Sequence, residues 1–87
     1  MVKQKVRVKI PVGVHFRPAG QITECAMKFN SETTIKVGNR ETNIKSFLNL
    51  LAACIKYDDE IEIICKGPDE EKALQELVSI FEMKKNS

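Results

Sequence analysis

The sequence is poor in the residues that would mark many common kinds of site. It has no tryptophan, one tyrosine, one histidine, three prolines and four glycines among its 87 residues. Its three cysteines, Cys25, Cys54 and Cys65, are odd in number, widely spaced and set in apolar patterns, which favours neither a disulfide framework nor a zinc site. We therefore expect no metal and no cofactor, and a reducing, cytoplasmic location.

Long apolar runs and a strong charge of one sign are also missing. No run approaches the roughly 18 residues of a membrane-spanning helix, and the N-terminus lacks the uninterrupted apolar core of a signal peptide. The 14 basic and 12 acidic side chains give a formal net charge of +2, too small for a general nucleic-acid binder. A chain of this length has room for one core, so we expect residues 1–87 to form a single domain without a multi-substrate cleft.

What the chain does contain is a single histidine, His15, where a strand-like segment gives way to a helix-like one in the run Gly-Val-His-Phe-Arg-Pro-Ala. A neutral imidazole nitrogen can attack phosphorus, and the unpaired amides of a helix start can bind the phosphate oxygens. Arg17 adds a planar fork of donors, and Pro18 suits the first helical turn because its missing N–H would have no partner there. The motif predicts a phosphoryl-carrier site; a plain cap or surface histidine is the alternative.

Hydrophobic periodicity indicates a strand, a helix and a hairpin in the first half of the chain. Apolar and basic residues alternate over residues 2–10, which is typical of a strand with one buried face. Residues 17–29 carry apolar side chains at steps of three and four, as in an amphipathic helix. Period two returns over residues 33–44, where Gly38 and Asn39 provide the positive φ angles of a tight hairpin turn.

The second half predicts a helix, a strand and a final helix. Ser46 is an N-cap candidate before an apolar segment over residues 47–53, and residues 60–65 alternate as a fourth strand. Asp69 can cap the last helix, whose far end suits two lysines, Lys84 and Lys85. The last helix buries an apolar stripe formed by Ala73, Leu74, Leu77, Val78 and Phe81. The order βαββαβα predicts an α+β two-layer domain with helices on one face of an antiparallel sheet.

This order of elements and the segment around His15 resemble the histidine-containing phosphocarrier protein HPr family of the bacterial phosphoenolpyruvate-dependent sugar phosphotransferase system. The likeness covers nearly the whole chain, and Lys45 and Ser46 resemble the family's regulatory serine segment. The resemblance implies an open-faced sandwich with a four-stranded sheet of order 1423 and three helices on one face. It also implies a phosphoryl carrier and not a turnover enzyme.

By this resemblance His15, with Arg17 at its side, receives a phosphoryl group from enzyme I and passes it to sugar-specific IIA components. The phosphate is bound by residues of the first helical turn, Phe16, Arg17 and Pro18. Phosphorylation of Ser46 by an HPr kinase/phosphorylase then favours engagement of a catabolite-control repressor, although Ser46 can equally serve only as an N-cap. A shuttling carrier is expected to be a monomer.

A short apolar helix cannot bury every side in so small a domain, so part of it is expected to form a docking surface, unless all of it is core. The expected docking residues are Phe16, Gly20, Phe47, Leu48 and Leu51. Several residues depart from the family pattern. Phe16 stands where alanine is usual, Gly20 also replaces alanine, and Cys54 and Asp58 stand where glycine is common, so the turns there are expected to be strained or reshaped.

Two other functions are considered. The first hypothesis, motivated by Phe16, is a divergent regulatory paralogue. Such a protein acts by protein binding in catabolite control and takes no part in sugar uptake. The chain can also be a small nucleic-acid binder that uses a basic edge formed by Lys3, Lys5, Arg7 and Lys9. This last hypothesis ranks lowest because stacking modules need aromatic side chains on the sheet face, and here the aromatic residues fall on predicted helices or in a loop.

Overall fold

The computed structural model describes residues 1–11 and 13–83. Seven elements follow one another in the predicted order: β1 Val2–Arg7, α1 Phe16–Met27, β2 Glu32–Val37, β3 Arg40–Asn43, α2 Phe47–Ala52, β4 Glu60–Lys66 and α3 Glu70–Phe81. Lys84 and Lys85, which were expected at the end of the last helix, lie outside the described residues. Within the described residues, no helix is long and apolar enough to cross a membrane.

The four strands form one antiparallel sheet of order β1-β4-β2-β3, which confirms the expected order. The inner strand β4 pairs with β1 on one side, where Ile61 is opposite Val6, and with β2 on the other, where Ile63 is opposite Ile35. These four side chains are all buried, whereas the residues between them alternate toward water. Because successive strand residues point to opposite faces, the core lies on one face of the sheet and the helices cover that face.

The turn between β2 and β3 is as short as predicted, but only one of its two loop residues has a positive φ angle. Val37 pairs with Arg40, so Gly38 and Asn39 form the loop. Gly38 has a φ of 60°, whereas Asn39 is not in the positive-φ region. Positive φ at the first loop residue alone is typical of a type II′ hairpin, so the expectation for Asn39 was wrong.

The start of α3 is fixed by its neighbours and not by a conventional cap. Asp69 occupies the N-cap position but makes no side-chain cap hydrogen bond. Its carboxylate instead accepts hydrogen bonds from the hydroxyl of Ser31 and from the amide of Asn30. The buried Ser31 hydroxyl also accepts a hydrogen bond from the Asp69 amide, at 3.2 Å. This contact ties the loop before β2 to the start of the last helix.

Candidate phosphoryl-acceptor site

His15 is the N-cap residue of α1, as the sequence predicted. Its backbone is extended, with φ of −115° and ψ of −165°, and its side chain makes no cap hydrogen bond. Its carbonyl oxygen accepts the first helical hydrogen bond, from the Ala19 amide at 2.8 Å. The side chain is exposed, so the ring is accessible from outside and is not engaged in capping the helix.

The backbone before His15 is fixed against the loop that follows α2. The Val14 amide donates a hydrogen bond of 2.9 Å to the carbonyl of Ile55, and both side chains are buried. Gly13 precedes them with a φ of 76°, and a Cβ atom at this position would lie 2.7 Å from the same carbonyl oxygen. Only glycine permits this close approach, so Gly13 and Val14 hold the histidine in place from behind.

The first turn of α1 offers donors and a positive charge to an anion beside His15. Phe16 and Arg17 are its first two residues, and the amides of a first turn have no intrahelical acceptor. Pro18 has no N–H, so it shapes this turn without donating to a phosphate. The turn contains no acidic side chain, and Arg17 is exposed. The helix dipole and the guanidinium therefore act without local neutralisation.

Ser46 is the N-cap residue of α2, which confirms the predicted cap. Its hydroxyl oxygen accepts a hydrogen bond from the Asn49 amide at 3.4 Å, and its own amide donates to the Asn43 carbonyl at 3.1 Å. The preceding Lys45 ammonium donates to the carbonyl of Phe29, at the end of α1, at 2.8 Å. Ser46 is half-buried, and these hydrogen bonds tie the turn that carries it to β3 and to the segment after α1.

Of the expected docking residues, Phe16 and Gly20 of α1 lie close to Phe47 of α2, and Leu48 and Leu51 follow Phe47 along α2. Phe16 and Leu48 are 74% and 73% exposed, whereas Gly20, Phe47 and Leu51 are half-buried. The rings of Phe16 and Phe47 lie 6.4 Å apart between centroids, with their planes at 31°. We call these five residues the docking surface. Leu50 of the same helix is fully buried, so α2 is neither all core nor all exposed.

Sequence reasoning missed Met27, whose side chain is 63% exposed at the end of α1. It lies eleven residues after Phe16, which at 3.6 residues per turn places it on nearly the same helix face. The helical period counted from Phe16 is the signal that could have found it. Met27 extends the apolar face of α1 beyond the docking surface.

The basic edge is present but partly neutralised. Arg7 contacts the carboxylate of Glu60 at 3.6 Å, and Lys9 contacts that of Asp58 at 3.1 Å. None of the four strands contains an aromatic residue. A sheet face without rings offers no stacking platform for bases, which argues against a nucleic-acid function.

The two residues at which turns were expected to be strained or reshaped have strained backbones. Cys54 and Asp58 have φ angles of 53° and 71°, in the region that favours glycine. Both lie in the loop that holds Val14, on either side of Ile55 and Lys56. The backbone is therefore strained at both positions, while the loop makes its hydrogen bond with Val14.

A small α+β sandwich with an exposed histidine at the start of its first helix suits a carrier of phosphoryl groups, and comparison with known proteins gives the family. The family model described as "PTS HPr component phosphorylation site" matches residues 2–83, and the chain belongs to this family of phosphocarrier proteins. Its members carry a phosphoryl group within the phosphotransferase system and are not turnover catalysts.

Two kinds of relative are found among curated proteins. The phosphocarrier protein HPr of Mycoplasma pneumoniae is 45% identical over 83 residues, which cover 94% of each chain. The HPr-like protein Crh of Bacillus subtilis is 32% identical over 79 residues, covering 91% of this chain and 93% of Crh.

Solved structures include the same two kinds of relative. A crystal structure of HPr from Bacillus anthracis superposes with a TM-score of 0.89 at 28% identity and covers 92% of this chain and 95% of that one. The crystal structure of B. subtilis Crh, described as a dimer with a swapped domain, gives a TM-score of 0.82 at 29% identity and covers all of both chains.

Proposed function

We propose that the chain accepts a phosphoryl group on His15 from a phosphoenolpyruvate-dependent enzyme I and passes it to sugar-specific IIA components. The observation that carries this proposal is the exposed His15 ring at the N-cap of α1, free of a capping bond and followed by Arg17. Membership of the HPr family supports it. On this proposal residues 1–87 act as one carrier unit in the cytoplasm, and the three free cysteines suit a reducing compartment.

The transfer needs little acid–base chemistry. A neutral ring nitrogen of His15 attacks the phosphorus of the phosphorylated donor, a new N–P bond forms, and the bond from phosphorus to the donor breaks, leaving its electron pair on the donor. In the transition state, negative charge is spread over the three oxygens of the transferred group. The amides of Phe16 and Arg17 and the Arg17 guanidinium then stabilise these oxygens.

Phosphorylation by enzyme I tests this proposal. Incubation with phosphoenolpyruvate and enzyme I should add one acid-labile phosphate to the chain, and His15→Ala should abolish it. Arg17→Ala should slow the transfer by about 10- to 100-fold, since it removes one charged donor from the transition state. Arg17→Lys keeps the charge but loses the planar fork, so its transfer rate should lie between those of the wild type and Arg17→Ala.

Arg17 is exposed, so its variants should melt at the same temperature as the wild type. Unchanged transfer kinetics in Arg17→Ala would remove the role given to this residue. An acid-stable phosphate, or none, in the wild type would overturn the carrier function itself.

We also propose that Ser46 is a regulatory phosphorylation site for an HPr kinase/phosphorylase, and that the phosphorylated form binds a catabolite-control repressor. Its half-buried hydroxyl at the start of α2, beside exposed Leu48, supports this, because a phosphate there changes the charge of the docking surface. Incubation with the kinase and ATP should label wild type but not Ser46→Ala. Labelling that persists in Ser46→Ala would assign the phosphate elsewhere.

A regulatory role without sugar uptake is the second candidate function. The 32% identity to Crh and the large side chain beside His15 favour it. Kinase labelling at Ser46 without transfer to any IIA component would support this role, whereas efficient relay to a IIA component would exclude it.

We expect the chain to work as a monomer, and light scattering coupled to size-exclusion chromatography tests this expectation.

A further inference from the structure

Phosphoryl transfer alone does not account for the large side chain next to His15. Phe16 is the first residue of α1, and its side chain is 74% exposed. Phenylalanine is a poorer helix former than alanine, and an exposed ring adds little to the core. Neither helix propensity nor burial accounts for a ring at this position.

The Phe16 ring is supported from one side by Phe47. The two ring centroids are 6.4 Å apart, within the range of favourable aromatic pairs. Phe47 is half-buried and lies beside Gly20 of α1, where a Cβ atom would be 3.9 Å from Cε1 of Phe47, an ordinary contact distance. Phe47 thus lies against one side of the Phe16 ring, while most of that ring remains in water.

A ring held in this way is suited to insertion into a partner. Aromatic side chains in contact with a pocket contribute strongly to binding, and with only two side-chain torsions they lose little conformational entropy on association. The neighbouring Arg17 is exposed, and no acidic side chain lies in the same helical turn. A complementary pocket is therefore apolar and bordered by carboxylates.

We propose that Phe16, supported by Phe47, determines the specificity of the docking surface by inserting into an apolar, carboxylate-bordered pocket of the enzyme I that phosphorylates His15. This inference rests on the proposed phosphocarrier function. The ring works in both directions. It anchors a partner that has the pocket, and it clashes with a partner whose surface is shaped for a small side chain.

The test measures initial rates of His15 phosphorylation by two enzymes. One is the enzyme I of the same organism, and the other normally phosphorylates a carrier with alanine next to its histidine. Phe16→Ala should raise the KM of the carrier for the first enzyme by about 10- to 100-fold, with kcat changed less than about twofold, because the ring acts in binding. The same substitution should lower the KM for the second enzyme.

Two further variants separate anchoring from folding. Phe16→Leu keeps most of the apolar volume and should retain most of the affinity for the first enzyme. Phe47→Leu removes the supporting ring and should raise the KM for that enzyme by a smaller factor than Phe16→Ala. Thermal melts accompany each variant, and Phe16→Ala should melt as the wild type does, because the ring is mostly exposed.

The outcomes distinguish this inference from the function on which it rests. In one outcome, the wild type is phosphorylated on His15 while Phe16→Ala has the wild-type KM with each of the two enzymes. That result overturns the specificity role and leaves the carrier function standing. An equal loss in Phe16→Leu and Phe16→Ala, with lowered melting temperatures, would also overturn it by showing a folding effect. If neither enzyme phosphorylates the wild type, the proposed function fails and the inference fails with it.

Discussion

The backbone of Cys54 stores strain that a single substitution can release. Its φ of 53° lies in the left-handed region, which costs a residue with a side chain about 1–2 kcal/mol. Glycine avoids this cost but loses more entropy on folding, which offsets part of the gain. We therefore expect Cys54→Gly to raise the free energy of unfolding by about 0.5–1 kcal/mol, measured by urea denaturation.

The control is Cys54→Ala, which removes the thiol but keeps the Cβ atom and hence the strain. It should leave the free energy of unfolding close to that of the wild type. Equal stabilisation by both substitutions would show that the thiol, and not the φ angle, is the unfavourable feature. Asp58→Gly is a less direct comparison, because it also removes the carboxylate that contacts Lys9 at 3.1 Å.

The start of α3 makes the stability of the protein sensitive to acid. Hydrogen bonds from the Ser31 hydroxyl and the Asn30 amide hold the pKa of the Asp69 carboxyl below its ordinary value. The Gly67 amide and then the chain N-terminus do the same for the pKa of Glu70. Both carboxyls bind protons more weakly in the folded chain, so their stabilisation is present above the ordinary carboxyl pKa of about 4 and is lost as the pH falls through the lowered values.

We expect the free energy of unfolding to decrease as the pH drops below about 4.5, and Asp69→Asn to make this decrease shallower, because its side chain no longer titrates. Denaturation curves at a series of pH values measure both slopes. Glu24→Gln, at an exposed position of α1, is the matched control and should leave the slope unchanged. An Asp69→Asn variant with the wild-type slope would contradict this account of the α3 start.

Periodicity was sufficient to predict most of the elements, because most strands and helices have one buried face that repeats along the chain. The exception is β3, which has no buried residue and was predicted from the turn before it. The alternation around Ile61 and Ile63 predicted β4, and the cap at Ser46 correctly predicted that α2 begins at Phe47. The carboxylate of Asp69 was assigned wrongly to a helix cap. Its partner Ser31 is 38 residues away in the sequence, and a local pattern contains no information about such a contact.

The same reason limits what the sequence revealed about the candidate site. His15 and Arg17 are neighbours in the chain, so the motif alone predicted that they belong together. The contact of Phe16 with Phe47 joins two helices and depends on their packing, so only the structure shows it. Pro18 was grouped with the phosphate-binding residues, although the missing N–H noted in the sequence leaves it no backbone donor for a phosphate.

For the molecule as a whole, the reactivity of the three thiols measures how readily the folded structure opens. Cys25 and Cys65 are buried, and Cys54 is exposed. Burial, followed by the charges of Glu70 and Asp69, raises the pKa of Cys65 to about 11. Burial also raises the pKa of Cys25, with a smaller contribution from Glu76 and an opposing one from Lys28. A buried thiol with a raised pKa reacts only when the structure opens.

We therefore expect a thiol reagent at pH 8 to modify one cysteine rapidly in the native protein and all three in denaturant. Absorbance or intact mass measures the number of modified thiols with time. Cys54→Ala should abolish the rapid reaction and leave the two slow ones. Two or more rapidly reacting cysteines in the native wild type would show that the core opens far more readily than its packing indicates.

The face of the sheet that the helices leave bare has a practical consequence. It carries outward side chains such as Lys5, Lys36 and Glu62, while the starts of α1 and α2 belong to the opposite layer. A fluorophore or a surface tether attached to this face keeps the full thickness of the sandwich between itself and an arriving protein. Single molecules of this chain can therefore be immobilised or observed there in assays of the proposed phosphoryl transfer, with the starts of α1 and α2 left accessible to freely diffusing partners.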